Sequence, residues 1–203
     1  MSFQQKIKDD LVEIKNSLIP FLRHPMTEIK HSPDWTWHRI FLLQILITAS
    51  TGFLAALVDR KSAFSLIASL IVSPILTLLM LGISSLFFYY CFQIFASHTV
   101  SFRKLFTIVL FANIPQFIFQ ILNGFVPPIT LVGMAFTALL LLVGFVENLK
   151  VDRKLVVRLL AALYAIFFAV WIANLISNSH LEKNWHAEKE REREETPEVQ
   201  LGK

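Results

Sequence analysis

Residues 62–96 read SAFSLIASLIVSPILTLLMLGISSLFFYYCFQIFA, 35 residues without a charged side chain. As one straight helix this stretch would be roughly 50 Å long, against a bilayer hydrocarbon core of about 30 Å. It is too long for a single crossing and too short for two crossings with a turn, and Pro74 divides it. The first reading is a shallow or re-entrant helix over 63–72, followed by a membrane span over 74–96. The alternative is one long helix, tilted and kinked. Under either reading, an apolar run of this length marks a chain that crosses a membrane.

The flanking sequence repeats the pattern. Charged residues are also absent from Ile40–Val58, Leu105–Val146 and Leu159–Leu181. Spans are expected over about 40–58, 74–96, 104–122, 129–146 and 155–176. Composition agrees: 55% of the residues are hydrophobic and 17% charged, whereas soluble domains carry about 25% charged residues. The expected fold is all-α, a polytopic bundle of five transmembrane helices preceded by an amphipathic interfacial helix. The chain divides into a segment 1–39, a transmembrane domain 40–176 and a polar, mixed-charge tail 177–203 that extends as a solvated helix and frays at Pro197.

In the first segment Phe3, Ile7, Leu11, Ile14 and Leu18 recur at steps of three or four, which places them on one helical face. This face is expected at the membrane surface, on the bundle or against a partner. Pro20 is the expected stop. The polar side is neutral along the sequence, with Lys6, Lys8 and Lys15 against Asp9, Asp10 and Glu13. Trp35 and Trp37 suit an aromatic anchor at headgroup level. No cleavable signal peptide is expected, so the first span serves as its own targeting signal.

Lysine and arginine in short loops favour the cytoplasm. Twelve of the 19 fall before the first span, between the second and third, or between the fourth and fifth (Arg158 just inside the last). Only Arg60 and Lys61 occupy the opposite loops, and five more lie in the tail. The amino terminus is therefore expected in the cytoplasm, and five crossings put the carboxyl terminus in the periplasm or lumen.

Several function classes find no support. A net charge of +4 is too small and scattered for nucleic-acid binding. The one cysteine, Cys91, forms no internal disulfide and reads as a small core hydrophobe. His24, His31 and His38 recur every seven residues, but Pro25 and Pro33 interrupt any helix that would align them on a metal. Phosphate loops, nucleophile elbows, zinc-protease motifs and a convincing carboxylate pair are missing, so neither catalysis nor a cofactor is expected. No charge falls deep in a span, which leaves a proton relay little to work with.

What remains is neutral and polar. Asn113, Gln116, Gln120 and Asn123 are spaced 3, 4 and 3 on one face of the third span, around Pro115. Asn174 in the fifth span and Gln44, Thr48 and Thr51 in the first are placed to meet them. Such amides act as interhelical hydrogen-bond glue; the alternative is a polar cavity for a neutral solute or a lipid, gated around Pro74 and Pro115. Gly52 with Ala56, and Ser69 with Ser73, are small-residue pairs that allow close helix contact.

The layout resembles the Yip family of Ypt/Rab-interacting membrane proteins in its compact prokaryotic form. The resemblance is carried by the amphipathic start, His24-Pro25, Pro74 and the basic Phe102-Arg103-Lys104. It continues in Ala112-Asn-Ile-Pro115 and Leu141-Leu-Val-Gly-Phe-Val-Glu147, across roughly residues 20–178. It implies five spans, a cytoplasmic amino terminus and a bacterial inner-membrane location. Eukaryotic members are linked to Rab GTPases and vesicle traffic; this sequence lacks their long amino-terminal region, so a Rab-type GTPase is not carried over as a partner. The expected function is a non-enzymatic membrane organiser that meets lipids, other membrane proteins or a second copy through residues 3–19 and the cytoplasmic loops.

Overall fold

The computed structural model describes residues 3–58, 63–96, 99–122, 125, 129–170, 172 and 173. No strand occurs among the described residues. Helix α1 runs Phe3–Arg23, α2 Pro25–Glu28 with a 3-10 turn Ile29–His31, α3 Trp37–Val58, α4 Ala63–Ala96, α5 Phe102–Leu122 and α6 Ile129–Val143, ending in a wide π turn Gly144–Asn148. A last helix, α7, covers 153–170. Its start is capped where the Asp152 carboxylate accepts the Leu155 amide at 3.1 Å.

Among the described residues, four stretches are long and apolar enough to cross a membrane: Trp37–Val58, Leu66–Phe95, Phe102–Leu122 and Ile129–Asn148. The expected fifth span, 155–176, is helical over 153–170 and continues into residues outside the described set. The tail 177–203 lies outside it as well. The chain forms two compact units, Met1–Val157 and Arg158–Lys203. The first holds α1 to α6 and the start of α7; the second is described only over the remainder of α7 and residues 172 and 173.

The structure departs from the first reading of residues 62–96. Ala63–Ala96 is one helix of 34 residues, with Pro74 inside it. In lipid, a break there would strand several backbone amides and carbonyls without partners, so the chain keeps its ladder and tolerates the proline. Groups from α3 attend the site: Gln44 Nε2 donates to the Pro74 carbonyl at 2.8 Å, and Ser73 Oγ donates to the Thr48 carbonyl at 3.3 Å. Pro115 is likewise inside a continuous α5.

The length of α4 has a place to go. Tyr89 meets Phe102 with ring centroids 5.6 Å apart, and Phe102 meets Trp37 at 5.9 Å. This ring chain marks the level where α3 and α5 begin. Helix α4 continues past Tyr89 to Ala96, about 10 Å further. At 34 residues α4 is longer than the roughly 30 Å hydrocarbon core that it crosses.

Helix α5 is the axis of the first unit. Every residue from Leu105 to Ala112 is buried, a full circumference and not one stripe. On one side Phe106 packs on Trp37 and Phe41. On another, Phe111 meets Phe21 of α1 at 5.1 Å and Trp35 at 5.5 Å. The amino-terminal segment thus completes the packing around α5. Helix α1 continues through Pro20 to Arg23, because a proline near a helix end removes only one backbone bond. Trp35 is buried against Phe111, whereas Trp37 stays partly exposed in the ring cluster; only Trp37 keeps the position of an anchor.

Candidate functional site

Two polar constellations stand out, one inside the membrane and one at the level of Trp37. The first lies on the α3–α4 seam. Helices approach closely there because Gly52 has no side chain: a Cβ would fall 2.7 Å from Ser73 Oγ and 2.8 Å from Ser73 Cβ. Beside it, Gln44 is fully buried, and its amide donates to Pro74 O and, at 3.3 Å, to Thr48 Oγ1. Thr48 Oγ1 donates to the Gln44 carbonyl at 2.7 Å, and Thr51 Oγ1 to the Ile47 carbonyl at 2.9 Å. Gln44 Oε1 is buried without a hydrogen-bond partner. One good bond and one orphan acceptor nearly offset each other, so Gln44→Leu should cost no more than about 1 kcal/mol in thermal unfolding.

The amides of α5 lie in separate surroundings. Asn113 Nδ2 donates to its own helix, at Val109 O, 2.7 Å away. Gln116 Oε1 is buried against α6 at Gly133, where a Cβ would lie 2.7 Å from it. Gln120 is exposed. Asn123 and Asn174 lie outside the described residues. Gln44, expected to meet this stripe, instead joins Pro74 on α4, the helix that Gly52 and Ser73 bring closest.

The second constellation lies apart from the neutral polar residues that the sequence singles out. Arg39, in the first turn of α3, donates through Nε to Asp10 Oδ1 at 2.7 Å and through Nη1 to Glu13 Oε1 at 2.6 Å. His38 Nδ1 lies 3.0 Å from Asp10 Oδ2. The Asp10 side chain is only 5% exposed and that of Arg39 28%. The hydrogen bond from Arg39, reinforced by its charge and by His38, holds the Asp10 carboxyl below its ordinary range against the opposing effect of burial. This latch fixes α1 to the first span. A signal was present in the sequence: Asp10 is four residues before Ile14 and eleven before Phe21, on the face that docks.

That face is turned relative to the expected one. Ile14 is buried and Ile7 and Leu18 half-buried, but Leu11 is 40% exposed. The side chain of Phe3 lies outside the described residues. The apolar stripe and the docked face overlap without coinciding, because a buried carboxylate displaces Leu11 to the rim.

A third set of contacts joins the same segment to α6. Asn148 Nδ2 donates to Ser32 Oγ at 2.8 Å and to Ile29 O at 3.2 Å. The π turn before it brings Phe145 between Phe88 and Phe92, at 4.9 and 5.1 Å. Nearby, Arg103 donates to Asp34 at 2.8 Å. The contacts described hold helices together; none positions a nucleophile beside a base.

Among family models, the one described as the Yip1 domain matches residues 19–174. Comparison with curated proteins and with solved structures found no match to the chain.

Proposed function

The chain belongs to the Yip family, a multi-pass membrane protein by its four apolar helices, and from that premise we propose that it is a non-enzymatic membrane organiser. It sits in a bacterial inner membrane with its amino terminus in the cytoplasm, and five crossings place its carboxyl terminus in the periplasm. It gathers membrane proteins, or a second copy of itself, along the flank of the bundle, and meets lipid through α1. The amide-lined carrier reading is less well supported, since Asn113 donates to its own helix and Gln44 donates across the α3–α4 seam.

One observation carries this reading. The most apolar part of the Leu66–Phe95 stretch of α4 is only 11% buried, although α3 and α5 pack beside it. Ile75, Leu79, Met80 and Ile83 are all exposed, and the polar groups of its seam with α3 face inward. A helix that offers most of its apolar surface to its surroundings provides lateral contact area without a reactive group.

Cysteine cross-linking tests it. In a Cys91→Ser background, Met80→Cys and Ile83→Cys in native membranes should yield covalent dimers or adducts with one partner, while the buried Leu81→Cys should yield at least fivefold less, by roughly the loss of collisional access expected on burial. Absence of adducts at every exposed α4 position, with a monodisperse monomer in mild detergent, would sink the organiser reading.

A further inference from the structure

Read along the chain, α1 sets four cations (Lys6, Lys8, Lys15, Arg23) against three acids (Asp9, Asp10, Glu13); its three-dimensional setting makes the outward face more strongly basic. Asp10 and Glu13 both turn to Arg39, which removes two of the acids that balance its lysines. At about 100° per residue, Lys8, Leu11, Val12, Lys15, Ile19, Leu22 and Arg23 share an arc of about 120°, opposite the docked Asp10, Ile14 and Phe21. All seven are exposed. Three are cations, four are apolar and none is acidic. Asp9, also exposed, falls on the flank of the arc.

The latch sets the level of this face. Arg39 is two residues inside Trp37, whose ring contacts with Phe41, Phe102 and Phe106 form the aromatic cluster where the spans begin. A helix held there meets the boundary between headgroups and acyl chains, where lysine and arginine stems lie along apolar surface and their charges reach phosphate. We propose that the outward face of α1 lies in the anionic headgroup layer of the same membrane that holds the bundle, with Leu11, Val12, Ile19 and Leu22 entering the acyl boundary and Lys8, Lys15 and Arg23 paired with lipid phosphates. The occupant is lipid because the arc interleaves its cations with apolar residues along the whole helix. Each of these cations near an anionic leaflet adds a favourable, salt-sensitive contribution.

The test uses the full chain. Ile19→Cys in a Cys91→Ser background carries a bimane label. The protein is reconstituted into phosphatidylcholine alone or with phosphatidylglycerol at about 2:1, with bromines at shallow acyl positions to quench an immersed label. In the anionic bilayer, quenching should be at least twice that of the Lys8→Glu/Lys15→Glu variant. It should also fall as salt is raised from about 0.1 M to about 1 M, where the screening length shortens from ~10 to ~3 Å. Both lysines are exposed, so the variant keeps its fold, checked by an unchanged melting temperature.

A label unquenched in both bilayers overturns the proposal. So does quenching indifferent to charge reversal and to phosphatidylglycerol, or shielding that arises only with a co-purifying acidic protein. The inference rests on the organiser reading for its biological sense but fails separately from it. An unquenched Ile19→Cys label in a chain that still cross-links through α4 removes the lipid contact and leaves the organiser reading standing.

Discussion

Gly52→Leu should lower the stability of the bundle by about 3 kcal/mol, at the upper end of the cost of overpacking a filled interface. The reason is the atom that the new side chain meets. Ser73 Oγ can rotate away, but Ser73 Cβ, 2.8 Å from the position the new Cβ would take, is fixed to the α4 backbone. The helices must separate, and in doing so they lengthen the Ser73 to Thr48 O and Gln44 to Pro74 O bonds. In lipid, where close packing and interhelical hydrogen bonds replace the hydrophobic effect between helices, such a seam is costly to open. Thermal unfolding in mild detergent, followed by loss of monodispersity, measures it. Ser73→Gly removes both clashing atoms and should restore part of the loss, whereas Ser73→Ala removes only the hydroxyl and should restore less. A Gly52→Leu protein as stable as the parent would show that the seam does not hold α3 to α4.

The second large effect belongs to the latch. Arg39→Ala leaves the Asp10 carboxylate buried without its guanidinium, at a cost on the order of 2 kcal/mol; the partial exposure of Arg39 keeps it below the full penalty of breaking a buried pair. Hydrogen exchange should report it as faster exchange throughout α1 with α3 to α6 unchanged. The double variant Asp10→Asn/Arg39→Ala should recover part of the loss, since no charge is then stranded. The linkage with pH has a definite sign. The folded-state pKa of Asp10 lies below its unfolded value, so its stabilisation is fully present above the ordinary carboxylate range. It is lost only as pH falls from about 4 through the depressed folded value. Docking of α1 should therefore be unchanged between about pH 7 and 5. Release of α1 within that window would show that Asp10 does not set the pH response of the latch.

The departures between sequence and structure share a cause. Residues 62–96 are apolar on every side, and such a stretch carries no periodicity that distinguishes a broken helix from a continuous one. The deciding terms are the lipid requirement that backbone groups stay paired and the contacts that α3 brings to Pro74. Asn113, Gln116 and Gln120 are spaced three and four apart along α5, yet the first bonds its own helix, the second buries its Oε1 at Gly133 and the third is exposed. The surroundings of Gln44 and Gln116 depend on which helix approaches, and Gly52 and Gly133 allow those close approaches.

By itself the sequence determined that the protein is helical, that it is a multi-pass membrane protein and that its four apolar stretches carry no charge deep within them. These follow from one-dimensional quantities, the length of an apolar run and the positions of charges, because lipid acts on each segment independently. Only the tertiary structure decided that α4 is unbroken, that Gln44 serves Pro74, and that Asp10 and Glu13 turn inward to Arg39. That last pairing crosses 29 and 26 residues of chain, and no local rule relates positions so far apart. It docks one side of α1 and leaves Lys8, Lys15 and Arg23 on the exposed side. Electrostatic character here depends on which charges the fold leaves exposed.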